Sequence, residues 1–318
     1  MPIARRSFLT SSLAVSAAGL ALPNASAFSA GRALASTGTP APNGDVFSAV
    51  STDGLRLAVQ AYGSPADPAI VLVHGLNQSR LSWDRQIKSA LVDRFRVITY
   101  DLRGHGDSDR PADLAAYADG TRWGDDLAAV IEAAGVARPV VAGWSLGGFV
   151  IGEYLAKRGG DGLAGVNLIN AVVGFEPSLF RPTNIFGPLM ASEDFATRVQ
   201  ATRDFLAACF AVPPPREEFE RMLVFNGMVP REVQIALGRF ESESETLARG
   251  YRSLQAPVLV TFGQADRLVG VPMVDRTRAL VPQAEASWYE GIGHTPFYEN
   301  AERYNRELAA FAEQVQTG

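Results

Sequence analysis

The chain has 318 residues, 47% of them hydrophobic, which is enough for a substantial core in one large domain or two small ones. Lys plus Arg number 29 against 34 for Asp plus Glu, giving a formal charge of -5 with no basic run to track a phosphate backbone, which argues against nucleic acid as a partner. The single cysteine, Cys209, excludes an internal disulfide and a cysteine-rich metal site, and its setting (FLAACF) is that of a buried, inert thiol.

Residues 1–27 combine a positively charged start, a mildly apolar Ala/Ser/Leu stretch and a small-x-small site at Ala25, Ser26 and Ala27, the pattern of a removable signal peptide. Arg5 and Arg6, followed by Ser7, Phe8 and Leu9, resemble the twin-arginine export signal, so export machinery is an expected partner and a secreted or periplasmic location is expected. An ordinary secretory signal containing two arginines is the alternative. No later run reaches the roughly 20 apolar residues of a membrane span, so no stable membrane anchor is expected. Residues 28–43 are rich in Gly, Ala, Ser, Thr and Pro without periodicity and read as a flexible leader.

Short apolar runs then alternate with longer amphipathic ones, the pattern of a parallel sheet flanked by helices in one α/β domain. Strands are expected at 46–51, 55–62, 69–73, 95–100, 139–142, 165–169, 258–262 and 286–289. The first two form a hairpin turned by Asp53-Gly54. Helices are expected near 82–91, 124–134, 147–158, 272–280 and 301–314, as parallel crossovers require. Residues 175–252 carry no strand pattern and only helix-like segments broken by Pro213-Pro214-Pro215, Gly227 and Pro230. An insert this long reads as a helical subdomain capping a pocket, or else as a helical elaboration on the side of the sheet. The core would then comprise residues 44–174 and 253–318.

Chemistry concentrates where a strand runs into Gly143-Trp144-Ser145-Leu146-Gly147 and then into a helix. A serine on so sharp a turn needs glycines two positions away on either side, and the free amides of the helix start favour negative charge at the same spot. A serine hydroxyl needs a base, and the chain has three histidines. His74 and His105 precede the serine. His294, between glycine and threonine after the last expected strand, fits the order nucleophile, acid, histidine. Asp266, in the loop after the strand at 258–262, is the candidate acid that orients the imidazole; a solvated loop carboxylate or a partner for Arg267 is the plainer reading. The backbone N–H groups of Leu76 and Leu146 are the expected oxyanion donors. Trp144, Phe186, Met190 and Phe225 are candidate walls of a substrate pocket, although such residues also build cores.

Residues 71–76, 101–108 (DLRGHGDS), 142–148, 263–269 and 291–299 resemble, in kind and order, the signature blocks of the α/β-hydrolase superfamily, and within it the esterase and cofactor-free haloperoxidase-like branch. The resemblance spans nearly the whole chain after the leader. It implies an eight-stranded, mostly parallel sheet with an antiparallel second strand, a helical cap after the sixth strand, and Arg103 and His105 as buttresses of loops near the site. Ester cleavage through an acyl-serine on a small-molecule substrate is the expected activity, with no metal and no cofactor. Perhydrolysis, lactone opening, carbon–carbon bond hydrolysis and acyl transfer use the same residues and stay open. A ligand-binding module without turnover would lack one of the three residues, and all three are present.

Overall fold

The computed structural model describes residues 44–182, 189–238 and 244–316, so the expected signal peptide at 1–27, the leader at 28–43 and Phe186 lie outside the described residues. Among the described residues eight strands occur in chain order: β1 (Asp45–Val50), β2 (Arg56–Tyr62), β3 (Ala69–Val73), β4 (Arg96–Tyr100), β5 (Val140–Trp144), β6 (Gly165–Ile169), β7 (Val258–Gly263) and β8 (Glu285–Tyr289). The helices are α1 (Asp84–Ile87), α2 (Ala115–Ala118), α3 (Gly120–Ala133), α4 (Leu146–Arg158), α5 (Phe195–Ala208), α6 (Arg216–Gly227), α7 (Arg231–Leu237), α8 (Ser244–Arg252), α9 (Pro272–Leu280), α10 (Pro296–Glu299) and α11 (Ala301–Gln316).

The strands form one sheet in the order β1-β2-β4-β3-β5-β6-β7-β8. β2 is antiparallel to both β1 and β4, and every pairing from β4 onward is parallel. Hydrophobic patterning follows from this order. Every residue of β3, β4, β5 and β6 is buried because helices cover both faces, whereas the edge strand β1 exposes most of its residues. Alternate residues of β3 serve the two faces: Val71 and Val73 pack with Trp123, Leu127 and Phe149, while Ile70 and Leu72 pack with Trp83, Tyr304 and Leu308. Each such fully buried side chain stabilises the fold by roughly 1.5–3 kcal/mol. The β1–β2 hairpin turns at Gly54, whose φ of 82° is open only to glycine without strain.

The helix expected near 82–91 is instead three short pieces: a 3₁₀ turn at Arg80–Trp83, then α1, then a 3₁₀ turn at Ala90–Asp93. The interruption has a local cause, since the Ser89 side chain accepts the N–H of Leu91 and opens a new turn where a continuing helix would need that donor. The helix expected at 124–134 begins earlier, at Gly120, because Asp119 caps it by accepting from the N–H of Thr121 at 3.0 Å. Within 175–252, α5 and α7 supply Phe205, Gln234 and Leu237 to a cavity that also contains Ser145. The last helix of that interval, α8, lies against α4 instead, with Tyr251 donating its hydroxyl to the carbonyl of Gly148 at 2.6 Å.

The turn at 101–108 is tied down by Arg103, whose side chain is fully buried. Its Nε and Nη2 donate to the two oxygens of Asp126 on α3 at 2.7 and 2.6 Å, and Nη1 donates to Asp53 in the hairpin turn at 3.1 Å and to the carbonyl of Ala116 at 2.6 Å. Removing one member of a buried, bidentate pair strands the other charge. Asp126→Ala is therefore expected to cost about 3–5 kcal/mol of unfolding free energy, measured by chemical denaturation; a loss under about 1 kcal/mol would show that Arg103 finds water or other partners.

Candidate active site

Ser145 stands between β5 and α4 with φ 54° and ψ -116°, a strained conformation for a residue with a side chain. Its main chain is held on every side: the N–H donates to the carbonyl of Ile169 at 3.0 Å, and its carbonyl accepts from Gly148 at 2.9 Å and Val172 at 2.8 Å. The flanking glycines are sterically required. A Cβ at Gly143 would come within 2.5 Å of Ile151 Cδ1, and one at Gly147 within 2.6 Å of the carbonyl oxygen of Val73. The serine makes no side-chain cap to the helix it precedes, which leaves Oγ at the cavity surface.

The loops after β7 and β8 bring Asp266 and His294 together. Nδ1 of His294 lies 2.6 Å from Oδ2 of Asp266, and both side chains are buried. The carboxylate is saturated: Oδ1 accepts the N–H of Leu268 at 2.7 Å and of Val269 at 3.1 Å, and Oδ2 also accepts from Nδ2 of Asn170 at 2.6 Å. With Asp266 accepting at Nδ1, that nitrogen carries the proton and the lone pair of the neutral ring sits at Nε2. Nε2 is buried and has no hydrogen-bond partner among the described residues. Trp144, the neighbour of Ser145, donates its indole N–H to the carbonyl of His294 at 2.8 Å, and their rings lie 5.7 Å apart. The tryptophan is 2% exposed and packs against Trp83 and Phe297, so it supports the histidine loop from beneath.

Asn170 escaped the sequence reading. It closes β6 with φ 40° and also accepts from the N–H of Gly263 at 2.9 Å, which ties the end of one strand to the acid-bearing loop of the next. The available signal was a polar residue immediately after the strand run Gly165–Ile169.

His74 and His105 are fully buried, and both hydrogen-bond backbone through each ring nitrogen. His74 Nδ1 donates to the carbonyl of Gly75 at 2.8 Å and Nε2 accepts from Leu102 at 3.0 Å. His105 Nδ1 donates to the carbonyl of Arg103 at 2.9 Å and Nε2 accepts from Asn77 at 3.2 Å. The pair thus staples the 74–77 loop to the 101–108 turn. Leu76 and Leu146 line the same cavity as Ser145.

That cavity has a volume of about 430 Å³ and is walled mainly by Leu76, Val172, Phe175, Phe180, Phe205 and Val269, with Gln234 and Arg181 as its polar members beside the serine. Of the proposed wall residues, Phe225 is buried in the apolar cluster that holds Phe205, and Met190 lines a separate hollow bounded also by Phe195 and Gln234. Trp144, Met190 and Phe225 therefore lie outside the cavity lining. Apolar residue types in the cap interval do not reveal which of its faces looks toward the serine.

Residues 70–307 match the Alpha/beta hydrolase family, and the chain belongs to that family. It is 29% identical over 273 residues to the bifunctional esterase/perhydrolase DCH of Acinetobacter calcoaceticus, covering 81% of this chain and 96% of the relative. It is likewise 29% identical to the non-heme chloroperoxidase of Streptomyces lividans, covering 82% and 97%. Among solved structures, a Burkholderia cenocepacia protein provisionally designated an aryl esterase superposes with a TM-score of 0.83 at 36% identity, covering 86% of this chain and all (100%) of that one. Fold, family and esterase relatives together make this an ester-hydrolysing enzyme.

Burial holds the imidazoles of His74 and His105 down at about 3, well below the ordinary 6.5, and the two rings, 5.2 Å apart, meet edge to face. The folded state thus binds fewer protons than the unfolded chain between those two values. Their contribution to stability is complete above about pH 6.5 and is lost as pH falls toward about 3. Each histidine adds a slope of up to ~1.4 kcal/mol per pH unit in that window. His105→Gln, which keeps one donor and one acceptor, is expected to remove one such slope from denaturation midpoints followed between pH 6.5 and 5; an unaltered slope would contradict the neutral, buried assignment.

Proposed function

We propose that the protein hydrolyses carboxylic esters through an acyl-serine at Ser145, with His294 as general base and Asp266 as its orienting acid. The observation that carries this is the histidine itself: Nδ1 bound to a saturated carboxylate, Nε2 left unpartnered, and its loop strapped to the residue beside the serine. In the reaction, Oγ of Ser145 attacks the ester carbonyl while its proton passes to Nε2. Asp266 stabilises the imidazolium that forms. The N–H groups of Leu76 and Leu146 then receive the developing oxyanion, and the alcohol leaves with the proton from His294. Water, deprotonated by the same imidazole, releases the acid. Small esters with an apolar acyl or alcohol part suit a cavity walled chiefly by aromatic and aliphatic side chains.

A second reading draws on the similarity to an esterase/perhydrolase and to a non-heme chloroperoxidase: hydrogen peroxide in place of water would take the acyl group and yield a peracid. Product analysis with peroxide present separates the two outcomes.

Ser145→Ala is expected to lower hydrolysis of short-chain p-nitrophenyl esters by about 10⁴-fold or more and to abolish labelling by a fluorophosphonate, with the thermal midpoint little changed. Asp266→Ala should cost less than Ser145→Ala or His294→Ala, since the base and nucleophile remain. Retained activity in Ser145→Ala would refute the assignment, and an unlabelled wild type would point to a receptor without turnover.

The N-terminal pattern supports export followed by cleavage after Ala27. The exported protein should begin at Phe28 by N-terminal sequencing. Replacing Arg5 and Arg6 together by lysine should block export if the twin-arginine route is used, and leave it intact if the segment is an ordinary secretory signal.

A further inference from the structure

We propose that Glu299 is a positioning residue for His294, and that its carboxylate clamps the histidine loop to the cap connection between α5 and α6. The inference rests on the assignment of His294 as the base. It is carried by the hydrogen bonds of a single side chain. Oε1 accepts from the N–H of Gly293 at 2.9 Å and from the hydroxyl of Thr295 at 3.0 Å, the residues on either side of the histidine. Oε2 accepts from the N–H of Ala211 at 2.9 Å and of Val212 at 3.2 Å, both in the cap connection. The clamp is reinforced alongside. His294 donates its own N–H to the carbonyl of Cys209 at 3.0 Å, and the Thr295 hydroxyl shares its proton with that carbonyl at 3.3 Å.

The chemistry of the side chain explains why it is a glutamate. A carboxylate offers acceptor sites on both oxygens, whereas glutamine would turn an NH₂ group toward one of the two donor pairs. Contact is also close. A Cβ at Gly293 would lie 2.5 Å from the Ala211 nitrogen and 2.9 Å from Oε1 of Glu299, so loop and cap pack without room for slippage. Asp266 fixes the ring only about one hydrogen bond, and the position of the main chain at residue 294 decides where Nε2 points. Glu299 sets that position while lying outside the cavity lining. Because misplacement of a catalytic group by about 1 Å can cost on the order of 10²-fold in rate, loosening this loop should reduce turnover and leave ground-state binding nearly intact.

The test compares Glu299→Gln and Glu299→Ala with wild type in the full chain, using a short-chain p-nitrophenyl ester. Expected is a fall in kcat of about 10- to 100-fold, larger for alanine, with KM within about threefold. The rate of phosphonylation of Ser145 by a fluorophosphonate should fall in the same proportion, because that step also needs the placed imidazole. If either variant fails to fold, Thr295→Val, which removes one donor to the clamp, should lower kcat severalfold at constant KM. A kcat and phosphonylation rate per folded molecule within twofold of wild type, whatever the thermal midpoint, would overturn the proposal, as would a loss seen wholly in KM. Ser145→Ala run in parallel separates the two levels: activity there sinks the base assignment itself, whereas an inactive Ser145→Ala beside an unimpaired Glu299→Gln sinks only the clamp.

Discussion

The strained main chain at Ser145 is the constraint on which the site depends. A positive φ at a residue with a side chain costs of order 1–3 kcal/mol and persists only where the surroundings over-determine it. Here the end of β6, the loop that follows it and the start of α4 do so through three main-chain hydrogen bonds, and contact with β3 leaves no space for a side chain at Gly147. The same close approach seats Leu146 at the helix start and brings the 74–77 loop alongside. One backbone conformation therefore lifts the hydroxyl into the cavity and fixes the amides around it.

A second layer holds the partners of the serine. Asn170 joins the end of β6 to Asp266, Trp144 joins the end of β5 to the histidine loop, and Glu299 joins that loop to the α5–α6 connection. His74 and His105 connect the two loops on the other side of the serine in the same way. Nearly all the polar groups of these residues meet main-chain, hydroxyl or carboxylate partners, whereas Nε2 of His294 has no hydrogen-bond partner among the described residues. The α5–α6 connection thus shares hydrogen bonds with the histidine loop, while α5 supplies Phe205 to the cavity wall.

The sheet was legible because periodicity reports burial. β3, β4, β5 and β6 are buried on both faces; β3 and β5 read as continuous apolar runs, β4 and β6 as short runs with few polar residues, and the Asp53-Gly54 turn announced the hairpin. The short pieces between Arg80 and Asp93 were not legible as such, because a serine accepting a neighbouring N–H interrupts a helix without disturbing the hydrophobic pattern. The cavity walls drawn from residues 175–252 were not legible for a related reason. Met190 and Phe225 have the composition of a pocket wall, yet Met190, in the turn before α5, lines a separate hollow, and Phe225 on α6 packs into the apolar cluster with Phe205.

By itself the sequence determined the succession of strands and most of their crossover helices, the glycine-flanked serine turn, and which histidine and carboxylate are candidates for base and acid. These are local properties: a turn type, a period of alternation and a rare side chain in a set order. Only tertiary structure decided which polar groups meet. The pairing of Asp266 with Asn170, the seat of Trp144 under residue 294 and the four donors gathered by Glu299 join segments up to 150 residues apart. Such contacts are set by how the strand ends and cap helices pack, and no local pattern encodes them.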